Sequence, residues 1–170
     1  LHKRSYLSSE DTSMEEDILL DLKKFFSKKK IEIPDYILWL RPTHPLRCIK
    51  TFKNAFKLFK DNKFKSVMVV HKSESRLFKV KDKYLVPINN AMNKKSMVRS
   101  QDTKPLYSIF SGEFFKFPKK KNKNFLGSKK LYIKTTKYTN FDLDDKIDLK
   151  ILQNTVKSNL SFFKKYLHDK

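Results

Sequence analysis

Two short stretches carry side chains that could do chemistry together. In Phe141-Asp142-Leu143-Asp144, residues two apart in an extended chain point to the same side, so Asp142 and Asp144 present paired carboxylates while Phe141 and Leu143 turn toward a core. Two adjacent anions repel unless a cation joins them, and a hard, oxygen-seeking ion such as Mg²⁺ suits them, keeping some waters and taking phosphate oxygens as further ligands. Read more plainly, the same acids are the acidic N-terminal cap of a basic helix. The second stretch is Trp39-Leu40-Arg41-Pro42-Thr43-His44-Pro45-Leu46-Arg47. Its prolines stiffen a loop that carries Arg41 and Arg47, and arginine forks onto phosphate or carboxylate.

These groups need elements to hold them. The run Tyr36-Ile37-Leu38-Trp39, short, apolar and bounded by prolines, predicts a fully buried central strand. In open α/β sheets ligands sit beyond the carboxyl ends of the strands, where the Pro-Thr-His-Pro loop falls. Ser13-Met14-Glu15-Glu16 reads as a capping box, and Met14, Ile18, Leu22, Phe25 and Phe26 recur at helical spacing, predicting a helix over residues 13–28. Beyond Arg47, the stripe Ile49, Phe52, Phe56 and Phe59 predicts a helix ending near Asp61-Asn62, followed by a buried strand over 66–70. Strand, helix and strand in that order make a right-handed crossover between parallel strands. Weak strands follow over 77–80 and 84–87, and another at Leu131-Tyr132-Ile133. Leu149, Leu152, Val156, Leu160, Phe163 and Leu167 then mark one long final helix capped by Asp145, with Asp148 in its first turn. The expected fold class is α/β, a three-layer sandwich with a mostly parallel sheet.

With 170 residues the chain suits one domain. Its net charge of +21 would by itself point to nucleic acid, as would Phe114-Phe115-Lys116-Phe117. The competing source is composition, since Lys, Asn, Phe and Ile rise together while Gly falls to 2, as AT-rich coding would produce. No apolar run reaches bilayer length and no leader pattern opens the chain, so a cytoplasmic setting is expected. The lone Cys48 reads as a buried residue at a helix start. His2, His71 and His168 lack partners at metal spacing, and His44 reads as a loop histidine that could touch a substrate.

Residues 40–47 resemble the L-(Q/R)-P-T-S-P-L-R motif of the N-acylneuraminate cytidylyltransferases, with His44 at the usual serine. The resemblance extends along the chain. Arg4 and Leu7-Ser8-Ser9-Glu10-Asp11-Thr12 are similar to the family's R-x-x-x-L-(A/S)-x-D-T segment. Arg99, Gln101, Pro105, Tyr107 and Gly112-Glu113-Phe114-Phe115 follow its R-x-Q-x-L-P-x-x-(Y/F)-x-x-N-G-x-x-Y segment, with Ser111 for asparagine and Phe115 for tyrosine. Asp142 and Asp144 stand where the family carries its metal aspartates.

Membership would imply transfer of a cytidylyl group from CTP to a nine-carbon sugar acid of sialic, legionaminic or pseudaminic type, with release of pyrophosphate. It would make Asp142 and Asp144 the Mg²⁺-binding catalytic pair. Substrate contacts would fall to Arg41, Thr43, Arg47, Arg76, Arg99, Gln101, Ser111, Phe115 and Phe125. Residues 72–111 would be an excursion that reaches a second subunit in a homodimer. The family's N-terminal strand and glycine-rich phosphate loop have no counterpart, because the only glycines are Gly112 and Gly127. Residues 1–170 would then be a single incomplete cytidylyltransferase domain, inactive alone. The alternatives are a basic nucleic-acid-binding protein and a cytidylyltransferase relic that no longer turns over.

Overall fold

A computed structural model of the chain describes Ser5, residues 14–93, 97–136, Tyr138 and residues 141–168. Helix α1 spans Glu15–Lys28, with Glu15, Glu16 and Asp17 in its first turn and Lys28 in its last. Both placements favour the helix dipole. Its N-cap is Met14, which makes no side-chain cap, and Ser13 of the expected capping box lies outside the described residues, as do Arg4 and residues 7–12.

Four strands form the main sheet: β1 (Tyr36–Trp39), β2 (Ser66–Ser73), β5 (Leu106–Lys116) and β6 (Leu131–Lys134), in the order β1-β5-β2-β6. β5 runs antiparallel to both its neighbours, while β2 and β6 pair in parallel. Three of the four strands therefore point the same way, with β5 inserted between two of them. Helix α2 (Ile49–Lys60) joins β1 to β2 and drives Ala55 and Phe59 onto Val67, Val69 and Phe114 to make the first core. A second core gathers Leu46, Leu152 and Phe163, with Phe141 and Leu143 packed against it. A separate hairpin, β3 (Phe78–Lys81) and β4 (Tyr84–Pro87), turns through Asp82, whose φ is 55°.

Two expectations from the sequence need correction, and one expected helix keeps part of its apolar face open. Among the described residues β1 is an edge strand rather than a buried central one, because β5 pairs with one of its sides and Tyr36 and Leu38 stay exposed. The apolar stripe of α2 is half open for the same reason. Ile49 and Phe56 border a groove with Leu38, Leu40 and Phe52, and Phe56 meets the core only through the Phe114 ring at 5.7 Å. The long final helix is two, α3 (Lys146–Ser158) and α4 (Leu160–His168), since Asn159 at φ −131°, ψ 36° leaves the helical region. Asp145 does cap α3, accepting from the amides of Ile147 and Asp148 while Asp148 answers in a reciprocal box.

β5 is the longest strand and has no counterpart in the sequence expectation. Over its last residues, from Gly112 on, alternation along it sorts the two faces of the sheet. Phe114 faces α2 beside Val67 and Leu38, while Glu113 stands in one cross-strand row with Trp39 and Met68. Beyond Gly112 the register shifts, so that β5 spends two more residues than β2 between the Val69 and His71 pairings. Such a bulge bends a strand and re-aims its side chains.

Candidate active site

Because β1, β2 and β6 run in one direction, their carboxyl ends lie along the same rim of the sheet. The Pro-Thr-His-Pro loop leaves β1 at that rim, and residues 141–145 follow β6. The two strands are separated by β5 and β2, a span of roughly 14 Å at ordinary strand spacing. The loops cross it. The Leu143 amide donates to the Thr43 carbonyl at 2.9 Å, and Asp142 Oδ1 lies 3.3 Å from His44 Nδ1. Phe141 and Leu143 anchor this crossing in the second core beside Leu46, so Asp142 and Asp144 take the open side. The sequence thus fixes the acid pair against the arginine loop by alternation.

His44 sits at the centre of the arrangement. It is buried, and burial lowers its pKa first, opposed by Asp142 and Asp144 and reinforced by Arg47 and Arg41. The neutral imidazole is therefore favoured there. Thr43 Oγ1 shares its Nδ1 at 3.3 Å. His71, at the end of the buried part of β2, is likewise depressed by burial and then by His44. Arg47 donates to the Arg41 carbonyl, which closes the loop on itself. Burial lowers the Arg47 pKa and Glu113 raises it, so the guanidinium and that carboxylate share one low-dielectric region.

Arg41, Phe115 and Phe125 come together around a cavity of about 210 Å³, with Trp39, Met68 and Glu113 completing its inner walls. Phe125 packs against Phe115 with ring centres 4.9 Å apart and planes tilted by 50°. Its loop is tied to β2 by the Ser66 hydroxyl, which donates to the Leu126 carbonyl at 2.7 Å. Arg41 reaches Glu15 of α1 at 3.3 Å across the mouth. Ser111 is buried in the sheet next to the register shift, with its hydroxyl oxygen unpartnered.

The other expected substrate residues stand on exposed chain. Arg76 is forked by Glu74 at 2.7 and 2.9 Å, and that fork holds the Glu74 carboxyl down to about 2. Arg99 pairs with Asp102 at 3.4 Å and is 74% exposed. Gln101 is exposed beside it in a short 3₁₀ turn. Of the cavity lining, the sequence singles out Arg41, Phe115 and Phe125 but not Trp39, Met68 or Glu113; Trp39 reads there as part of a strand and Glu113 as a motif position. A single carboxylate inside the run Gly112-Glu113-Phe114-Phe115 was the signal available.

The donor set suits a small hard cation. Among the described residues no three His, Cys, Asp or Glu side chains converge into a metal cage. Mg²⁺ does not require one, since it binds through one or two carboxylates with water and phosphate oxygens. Asp142 is 44% exposed in its side chain and open to such ligands.

The aromatic run that suggested a nucleic-acid surface is turned inward. Phe114 and Phe115 are 6% and 1% exposed, and Phe117 meets Phe26 of α1 edge-on. No described helix is long and apolar enough to cross a membrane.

No protein-family model matches the sequence. No curated protein matches it either. Among solved structures the chain is similar to the crystal structure of 4-diphosphocytidyl-2C-methyl-D-erythritol synthase from Anaerococcus prevotii, with a TM-score of 0.54 and 14% identity over 86% of this chain and 68% of that one. At that identity the likeness is one of fold, a mixed α/β sheet flanked by helices.

Proposed function

We propose that the chain is the acceptor-binding and metal-binding part of a cytidylyltransferase that joins CMP from CTP to a nine-carbon sugar acid. The observation that carries this reading is the crossing of the two loops, which sets Asp142 3.3 Å from His44 in the arginine loop. The named activity of the similar structure, a cytidylyltransferase-type synthase, agrees with it. So does the cavity beside the crossing, where Arg41 meets the rings of Phe115 and Phe125.

The chemistry asks the protein for little covalent participation. Joining an α-phosphate to a hydroxyl of an anionic sugar needs the two negative reactants held in line and their charge offset. Arg41 and Arg47 supply fixed positive charge at the strand ends. Asp142 and Asp144 would hold Mg²⁺, which when bound would offset the negative charge of the phosphates. Phe115 and Phe125 would cover the apolar face of the sugar ring and keep water from it. In the same reading the exposed β3–β4 hairpin, where Val80 and Leu85 are 74% and 67% exposed, reaches the second subunit of a homodimer.

Trp39 is the only tryptophan and lines the cavity, so its emission reports occupancy. N-acetylneuraminate is expected to change that emission saturably, and Arg41→Ala to weaken the response. A chain that stays folded and shows no response to any nonulosonic acid contradicts the proposal.

A further inference from the structure

Charge is not spread evenly over the two rims of the main sheet. The amino ends of β1, β2 and β6 share one rim with the carboxyl end of β5, as the pairings Tyr36–Lys116, Ser66–Phe115 and Val67–Leu131 show. The segments that meet there, 28–36, 61–66, 116–119 and 128–131, carry nine lysines, three acids and no arginine. Those at the opposite rim, 40–48, 73–77, 103–106 and 141–145, carry four cations and four acids. A uniform excess of lysine from composition would load both rims alike. The lysine segments are also tied into one surface. The Phe117 amide donates to the Asp35 carbonyl at 2.9 Å and the Lys116 amide to the Lys65 carbonyl at 3.3 Å, while the edge contact of Phe26 with Phe117 holds the end of α1 against them. All nine lysines are exposed, and among the described residues none of them is ion-paired.

We propose that this amino rim is a docking face for an anionic bilayer surface, which leaves the Arg41 and Asp142 rim turned toward solution. Two features favour lipid headgroups over nucleic acid, which the same charge could attract. Ile31 follows Lys30, and Phe64 stands between Lys63 and Lys65, at 50% and 36% exposure. Apolar tips flanked by lysine can enter the headgroup layer while the ammonium groups stay among its phosphates, and a nucleic-acid backbone offers them no place. The cations are moreover all lysine, a point charge that responds to a surface potential but lacks the planar fork by which arginine reads bases. Each such lysine near an anionic surface is worth about fivefold in affinity. The inference does not depend on the acceptor reading given above.

The test sediments the full chain with vesicles of equal parts phosphatidylserine and phosphatidylcholine, and with vesicles of phosphatidylcholine alone. Binding to the mixed vesicles only is expected, weakening as salt is added. Lys30→Gly with Lys63→Gln removes two charges from the rim and should weaken it about 25-fold. Glycine suits residue 30, whose φ of 54° is left-handed, so this variant keeps its fold. The same charge taken from the hairpin, Lys79→Gln with Lys81→Gln, should cost less than about threefold, and Ile31→Ser should weaken vesicle binding while leaving duplex DNA binding unchanged. The proposal is overturned if the mixed vesicles fail to bind, if the neutral ones bind as well, or if the hairpin variant weakens binding as much as the rim variant does. Duplex DNA that displaces the chain from the vesicles at equal salt would also overturn it. The comparison of the two vesicles needs no variant.

Discussion

Gly112 offers a quantitative test of how tightly the sheet is built around the site. It lies on β5 on the face toward α2, and a Cβ added there would come within 2.5 Å of Phe52 Cε1, 3.0 Å of Phe52 Cζ and 3.2 Å of Leu40 Cδ2. Carbon atoms do not approach to 2.5 Å, so Gly112→Ala must displace the Phe52 ring or bend the strand. Overfilling of this kind costs about 1–3 kcal/mol. Reduced freedom of the unfolded chain returns about 0.4–1 kcal/mol; with a contact as close as 2.5 Å the cost falls in the upper half of the overfilling range, about 2–3 kcal/mol, and the net loss should be about 1–2.6 kcal/mol. For a chain of this size that is a fall in Tm of roughly 2–10 °C. Because Phe52 makes the nearest contact, Phe52→Leu should relieve part of the cost. Denaturant unfolding of both single variants and the double variant would give a favourable coupling of at least about 0.5 kcal/mol. An alanine at 112 that leaves stability unchanged, or a double variant that is simply additive, would refute the close packing of β5 against α2.

Two further outcomes follow from the site's supports. Asp145→Ala removes the cap that accepts from Ile147 and Asp148, and chemical denaturation should show a loss of about 1 kcal/mol; an unchanged midpoint would mean that the box does not hold α3. Burial lowers the pKa values of His44 and His71 from 6.5, so the unfolded chain takes up protons that the folded chain resists. Their stabilising effect is complete above pH 6.5 and is lost as pH falls below it. Melting curves from pH 7.5 to 5 should steepen in that window, and His71→Gln should flatten the fall; an identical profile in the variant would contradict the buried, neutral histidine.

The acid pair and the proline-arginine loop were legible in the sequence because each rests on a local rule. Alternation put Phe141 and Leu143 inside and the aspartates out, and the prolines confined Arg41 and Arg47 to a loop at a strand end. Asp145 was legible as the cap of a helix with Asp148 in its first turn, and the structure adds the reciprocal box. The position of β1 was not, because Tyr36-Ile37-Leu38-Trp39 has the same apolar run whether one or both edges are paired. β5 escaped for a different reason: Ser111-Gly112-Glu113 interrupts its apolar pattern, and those residues sit next to a register shift. The break at Asn159 left the helical spacing of Leu149 to Leu167 intact, so periodicity carried straight through it. Pairing between distant strands brings Glu113 beside Trp39, and a loop tied to β2 brings Phe125; no local pattern corresponds to either.

The central claim is that Asp142 and Asp144 gather a divalent cation against the arginine loop, and Mn²⁺ tests it directly, since it takes the same oxygen ligands as Mg²⁺ and broadens nearby NMR signals. Titrated into the ¹⁵N-labelled chain, Mn²⁺ should first erase the amide signals of Asp142, Leu143 and Asp144 together with those of Thr43 and His44 across the loop contact. The Asp142→Asn, Asp144→Asn double variant should leave all five intact. Broadening that begins elsewhere, or that persists unchanged in the double variant, would contradict the account.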